Sequence, residues 1–422
     1  MIITPESLTT HVDPARIQRD WEALAAFTAP ELPYTRKAFS TPYKQAREWL
    51  AGRMRDAGLH VRVDAASNLI GRLSGERDDG PVLMAGSHID TVEAGGRFDG
   101  IVGVLGALEA ARALQEACVV LRHPLEIVDF TCEEPTLTGM TPLGSRIMAG
   151  ELTSKDLVGV LTPLNESLPD AINGLGGDGA HVEHARLAAG DIAAYLELHI
   201  EQGPVLERAN VPIGIVTAIA ARCSCFVTLD GEADHAGATL IPDRRDALVG
   251  AAEIVLAVEQ IASNSELIEE TVGTVGWMRL FPNMVNIIPG HVEFRAEVRS
   301  TDARMLETAN SRLQAVVEEI ATRRGLQFTL QWEDMEQPVT IPDRLQGILV
   351  QACQTLGLHF KQLPSRATHD AARLASIAPV GMLFIPCKEG KSHVPEEWAE
   401  LDHIVQGVHA LSYALVLLDQ SL

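Results

Sequence analysis

What most constrains the fold is an alternation of short apolar runs with longer amphipathic stretches through the first half of the chain. "HVRVDAASNLIGRL", "PVLMAGSHID" and "LEIVDFTCEE" read as strands, and "VGVLGALEAARALQEA" between them reads as a helix. Strands alternating with helices of that length favour an α/β layered domain, with a mixed, largely parallel sheet flanked by helices. Chemistry in such sheets belongs at strand ends. "AAYLELHIEQG" is one more strand that ends in polar residues.

From about residue 212 the character changes to "IGIVTAIAARCSCFVTLDGEADHAG", a helix "RRDALVGAAEIVLAVEQIASNS", strands "TVGTVGWMRLF" and "HVEFRAEVRS", and a helix "ARMLETANSRLQAVVEEIATRRG". That strand, helix, strand, strand, helix unit is of domain size and reads as an α+β insertion. The expected division is residues 1–211 with 326–422, and 212–325 inserted between them. After Gly325 come "LQFTLQWEDMEQPV", a helix near 343–356, and a last strand, loop and helix.

The 422 residues carry 34 Lys+Arg against 57 Asp+Glu, a net charge of −23. Such a surface repels phosphate backbones and anionic membranes, so nucleic acid is not an expected partner. Six cysteines without paired spacing suit free thiols in a reducing compartment. Cys223 and Cys225 would share one face of a strand. The opening "MIITPESLTTHVDPARIQRDW" lacks a basic start followed by an apolar block, and no apolar run reaches bilayer length. The expectation is a soluble cytoplasmic protein.

"GSHIDTVEAGGRFDG" delivers His88, Asp90 and Asp99 close together. His88 and Asp90, two apart on a strand, share a face, and an acid beside a ligating imidazole fixes its tautomer. The glycine-rich turn can fold Asp99 back over the strand end. Alone, H-x-D is more often a hydrogen-bonded surface histidine. "FTCEEP" offers Glu133 and Glu134, whose side chains diverge, so that one can hold a metal while the other faces substrate as a base. "LELHIEQGPVLE" places His199 at a strand end beside Glu201 and Gln202, and "KSHVPEEW" puts His393 in a loop. Singly these are more often structural than ligating. Together they supply three His and two acids, a set suited to two divalent ions.

"GSHIDTVEAGGRFDGIVGV", "EEP…LGSR", "HIEQGPVLE", "HAGAT…RRDAL", "NIIPGHVEFRAEVRS", "HDA" and "SHVPEE" follow one another between residues 86 and 397, within a likeness that runs over about residues 40–410. In that order they resemble the hydantoinase/carbamoylase amidases. That group includes N-carbamoyl-L-amino acid hydrolases, β-ureidopropionases and allantoate amidohydrolases, within the aminoacylase and carboxypeptidase-like metallohydrolases. The resemblance implies that His88, Asp99, Glu134, His199 and His393 bind two divalent ions, with Asp99 bridging. Zinc leads, with manganese, cobalt or nickel as alternatives. It implies that Glu133 is the general base for a hydroxide bridging the ions, that Asp90 orients His88, and that Gln202 faces substrate. It makes 212–325 a dimerisation and substrate-recognition lid, and the remainder the catalytic domain. His235 would then stabilise the oxyanion in the partner's active site, and Asn286 and Arg299 would bind the substrate carboxylate. On "VEFRAEVRS", Arg295, Glu297 and Arg299 face away from the apolar side, so Arg299 is presented rather than buried.

The chain departs from the family pattern at Pro135 after the paired glutamates, at Arg366 and Thr368 in "SRATHDAA", and at Lys391 before "SHVPEEW". Extra cations there point to a second acid on the substrate. The expected reaction is hydrolysis of the carbamoyl C–N bond of an N-carbamoyl amino acid or related ureido acid. The rivals are an allantoate or ureidoglycolate-type reaction, an N-acyl-amino acid hydrolase or dipeptidase, and a metal-retaining binding protein without turnover.

Overall fold

The computed structural model describes residues 8–137, 140–263, 271–333 and 335–422. The chain start, two residues of the loop after Glu134, and the end of the helix expected to reach Ser265 lie outside them. Two compact units emerge, one of residues 1–217, 341–363 and 369–422, the other of 218–340 and 364–368.

The first unit is built on β1 (His60–Val63), β2 (Leu69–Leu73), β3 (Val82–His88), β4 (Leu125–Phe130), β5 (Ile192–Ile200) and β6 (Ile213–Ile219). The strand Val380–Ile385, β13 in chain order, enters the same sheet. The sheet order is β1-β2-β4-β3-β5-β13-β6. Its centre is parallel, β4 with β3, β3 with β5 and β5 with β13, and antiparallel pairs flank it. β3, β4 and β13 are buried along their whole length. Strands covered on both faces lose the polar alternation of a half-exposed sheet, which is why they read as apolar runs.

Helix Ile101–Glu116 lies directly on β3 and β5, made possible by two glycines. A Cβ on Gly103 would meet the Leu198 carbonyl oxygen and the Ser87 Cβ, both at 2.6 Å. Gly106 faces Leu198 and Val408, and Gly407 of helix Leu401–Ser421 sits against Ile385 and Leu198. Helix Leu401–Ser421 is long and apolar enough to cross a bilayer by composition, but here it is mostly buried against the sheet. A smaller core around Phe39, Leu143, Ile147, Leu168 and Val182 closes the loops between 131 and 185.

The second unit is an antiparallel sheet of β7 (Ala221–Asp230), β8 (Thr271–Phe281), β9 (His291–Ser300) and β10 (Gln327–Trp332), ordered β10-β7-β9-β8. Helices Ala247–Ala262 and Ala303–Arg324 pack on it through one core that includes Ile254, Leu313 and Phe294. On β9, Val292, Phe294, Ala296 and Val298 are buried and the residues between them are not. The boundary inferred at residue 325 falls one strand early, since β10 pairs with β7. A strand's sequence carries its period but not the identity of its partner. The short strands β11 (Val339–Thr340), paired to the end of β6, and β12 (Phe360–Ser365) complete the set.

A Gly103→Ala substitution must push the helix off β3 and β5, and is expected to cost about 1–3 kcal/mol of stability. Urea unfolding should show a lowered midpoint with an unchanged slope.

Candidate active site

The ends of β3 and β5 and three loops of the first unit bring the acids and imidazoles together. His88 closes β3, and its Nδ1 bonds the Asp90 carbonyl oxygen at 3.1 Å, leaving Nε2 to point inward. His199, near the end of β5, is oriented in the same way by the Ile200 carbonyl oxygen at 2.9 Å from its Nδ1. Between the two rings lies Asp99: Oδ1 is 3.7 Å from His88 Nε2 and 3.2 Å from His199 Nε2. Its other oxygen, Oδ2, is 3.1 Å from His393 Nε2, which also lies 3.4 Å from Glu134 Oε1.

Two triads of potential ligands result, His88–Asp99–His199 and Asp99–Glu134–His393, each with its donor atoms within 4.8 Å of one another. They share Asp99. A third group, Glu197–His199–His369, meets the same distance criterion. Glu197, however, already accepts from Ser87 Oγ at 2.7 Å, Tyr195 Oη at 3.2 Å and the Ala371 N–H at 3.1 Å, so it supports the site from below. His369 stands edge-on to His199, ring centroids 4.5 Å apart.

Backbone conformation serves this convergence. Gly100, at φ 67°, has no room for a side chain, because a Cβ would lie 2.4 Å from the His88 ring. Cys132 before the glutamates, Gln202 after β5, and His393 itself adopt φ near +57°, a region non-glycine residues seldom occupy.

Asp90 lies against both His88 and the glutamate loop. Its carboxylate is 3.6 Å from His88 Nδ1, too far for a hydrogen bond, and the backbone carbonyl orients the ring instead. The two carboxylate oxygens accept the Glu133 N–H at 3.2 Å and the Glu134 N–H at 3.1 Å. Asp90 therefore fixes the loop that carries both glutamates. Gln202 donates from Nε2 to Asp99 Oδ2 at 2.6 Å, while its Oε1 is buried with no hydrogen-bond partner among the described residues. Two participants escaped the sequence reading, Ser392, whose hydroxyl is 2.7 Å from Asp99 Oδ2, and Glu397. Both stand in "KSHVPEEW" beside His393, where neither residue type marks a metal site by itself.

Burial and crowding of like charges push both Glu133 and Glu134 well above the ordinary carboxyl range, with Asp370 and Asp99 respectively the leading neighbours. Asp90 is raised to about 7 by burial and by Asp129. Burial would raise Asp99 too, but hydrogen bonds to His199 and His393 outweigh it and hold that carboxyl well below its usual value. Burial lowers His88 to about 4. His199 and His393 are raised to about 9: Asp99, aided at His393 by Glu134, overcomes the cost of burial. This donor set fits divalent cations. Imidazole nitrogens and carboxylates converge at a site that is buried except at His393, and a cation would offset the crowding of its acids.

Of the remaining sequence candidates, His235, Asn286, Arg299, Arg366 and Thr368 lie in the second unit, and Pro135 and Lys391 in the first. His235 is exposed, its backbone bridged to Ile287, and the Asn286 carbonyl accepts the Ala236 N–H at 3.0 Å, so the two loops are neighbours. The His235 Nδ1 accepts N–H bonds from Gly237 at 3.0 Å and Ala238 at 3.2 Å. Those contacts leave Nε2 directed away from its own loop as the free donor position. Arg299 is half-buried and already engaged, Nε with Glu297 Oε1 at 2.6 Å and an Nη with the Arg366 carbonyl at 3.4 Å. Lys391 is paired to Glu389 at 2.7 Å, which offsets the charge expected to act on substrate. Pro135 and Arg366 are exposed and Thr368 is half-buried.

A pH dependence follows for protein stripped with a chelator. His199 and His393 titrate near 9 when folded and near 6.5 when unfolded, so their stabilisation is complete below about 6.5 and is lost as pH rises to about 9. The raised Glu133 and Glu134 act in the same direction. Chemical denaturation should show chelated protein losing stability between pH 7 and 9, with restored divalent ions removing most of the loss.

A model of Peptidase family M20/M25/M40 matches residues 84–416. The chain is 39% identical to a ureidoglycolate hydrolase of Oryza sativa subsp. japonica over 97% of this chain and 85% of that one. It is 38% identical to an N-carbamoyl-L-amino acid amidohydrolase of Geobacillus stearothermophilus, over 92% of this chain and 93% of that protein. The crystal structure of a hydantoinase/carbamoylase family amidase from Burkholderia multivorans superposes with a TM-score of 0.87 at 32% identity, covering 96% of this chain and 98% of that one. With the same architecture over nearly its whole length, this chain belongs to Peptidase family M20/M25/M40, among its hydantoinase/carbamoylase amidases, and is a hydrolase.

Proposed function

We propose that the protein is a dinuclear amidohydrolase cleaving the carbamoyl C–N bond of an N-carbamoyl amino acid or a related ureido acid. The observation that carries this reading is the pair of ligand triads joined at Asp99, with Glu133 beside Glu134 yet belonging to neither. His88 and His199 would hold one ion, Glu134 and His393 the other, and Asp99 both. The nitrogen and oxygen donors suit zinc first, with manganese, cobalt or nickel as substitutes. Such ions, when bound, polarise a carbonyl oxygen and lower the pKa of water to about 7.

Glu133 is the general base. Its carboxylate, 3.6 Å from His88 Nε2, faces the centre of the site, and its environment favours the protonated form. A base of that kind takes a proton from the attacking water and gives it up to the leaving nitrogen. Asp90 holds the base and the adjacent ligand in register. In a homodimer, His235 of the partner subunit would donate its Nε2–H to the developing oxyanion, and Asn286 and Arg299 would bind the substrate carboxylate. Supporting a dimer, β8 is an edge strand of its sheet and exposes Val272, Trp277 and Phe281. Free cysteines fit a cytoplasmic enzyme.

The alternative substrate is allantoate or ureidoglycolate. Similarity to a ureidoglycolate hydrolase favours it, and a preference for a second acid on the substrate would rest on Arg366. N-acyl amino acids and dipeptides stand further off.

Glu133→Gln should retain the metal content of the wild type while turnover falls by about 10²–10⁴-fold. Retained turnover would remove the base assignment. Zinc- or manganese-loaded protein assayed on N-carbamoyl amino acids, allantoate, ureidoglycolate and N-acetyl amino acids should release product from the ureido compounds. Turnover of N-acetyl substrates alone would overturn the reading. Arg366→Ala should reduce any preference for dicarboxylic over neutral carbamoyl substrates.

A further inference from the structure

The two triads are supported differently. His88 and His199 stand on β3 and β5, inside the buried centre of the sheet. His393 stands on a loop, and Glu134 and the shared Asp99 follow turns. Something other than the sheet must hold the second triad together.

Glu397 is placed to do so. It is fully buried and four residues beyond His393. One oxygen, Oε1, accepts the N–H of Phe98 at 2.7 Å and of Asp99 at 3.1 Å. The other, Oε2, is 2.9 Å from the hydroxyl of Ser392, which in turn lies 2.7 Å from Asp99 Oδ2. One carboxylate thus ties the Asp99 turn to the loop of His393. Gly96 makes the close approach possible, because a Cβ there would lie 2.0 Å from the Glu397 Oε1. Phe98 is further gripped between Trp21, at 4.7 Å, and Trp398, at 5.6 Å, so the strap runs through a packed seam.

We propose that Glu397 is a positioning residue that sets the affinity of the ion held by Asp99, Glu134 and His393, while the ion held by His88, Asp99 and His199 depends on it far less. This rests on the dinuclear reading above. Glu397 acts as an acceptor of two backbone N–H groups and as partner of one hydroxyl, not as a ligand or a base. Partners of ligating groups commonly govern metal affinity by about 10–100-fold.

The test is a zinc titration of the chelator-stripped full chain against a competing indicator, resolving the first and second equivalents. Glu397→Ala should weaken the second equivalent by about 10–100-fold and the first far less. Glu397→Gln keeps an oxygen for the two N–H groups and offers an amide N–H to Ser392, so it should stay near wild type. Gly96→Ala displaces the carboxylate without altering it and should reproduce the selective loss, deciding the matter if Glu397→Ala does not fold. Equal weakening of both equivalents, weakening of neither, or a Glu397→Gln variant as impaired as Glu397→Ala would overturn the proposal. Failure of the wild type to take up two equivalents would instead sink the dinuclear reading.

Discussion

Three imidazoles meet the two oxygens of one buried carboxylate, Asp99, and the geometry of the site follows from that meeting. His88 and His199 approach Oδ1, and His393 approaches Oδ2. Were Asp99 displaced by one position along its turn, the two triads would have no common member. The turn is therefore held from several sides: by Glu397 at its N–H groups, by Gln202 and Ser392 at its oxygen, and by the absence of a side chain at Gly100. An anion so deeply buried is tolerable only because cationic or hydrogen-bonding partners surround it.

The sheet and the loops divide the labour. Central strands buried on both faces give β3 and β5 fixed ends, and helix Ile101–Glu116, seated on glycines, locks them. Where the backbone leaves the sheet, side-chain carboxylates replace ladder hydrogen bonds as the fixing element. Asp90 serves the glutamate loop, Glu397 the Asp99 turn, and Asp129 accepts the Ile89 N–H just beyond His88.

Much of this was legible beforehand for a physical reason. The central strands announce themselves as apolar runs, the strand, helix, strand, strand, helix pattern of the second unit is local, and the ligand candidates sit in glycine-rich or strand-end contexts that leave a signature. What was not legible depends on which chain segments become neighbours. Asp90 appeared suited to His88 because they are two residues apart, yet its oxygens reach the glutamate loop, 43 and 44 residues away. β10 was placed in the wrong unit because pairing with β7 is a long-range choice. Glu397 carries no signal in the sequence, because its role rests on contact with a turn almost three hundred residues earlier.

Asp90 has a consequence for how this enzyme can diversify. Since one carboxylate grips adjacent peptide N–H groups, Glu133 and Glu134 are mechanically a single part. A mutation that shifts the one drags the other, so neither glutamate can be repositioned in isolation. Exposed positions such as Arg366 and Lys391 lie outside that clamp and can vary without moving it.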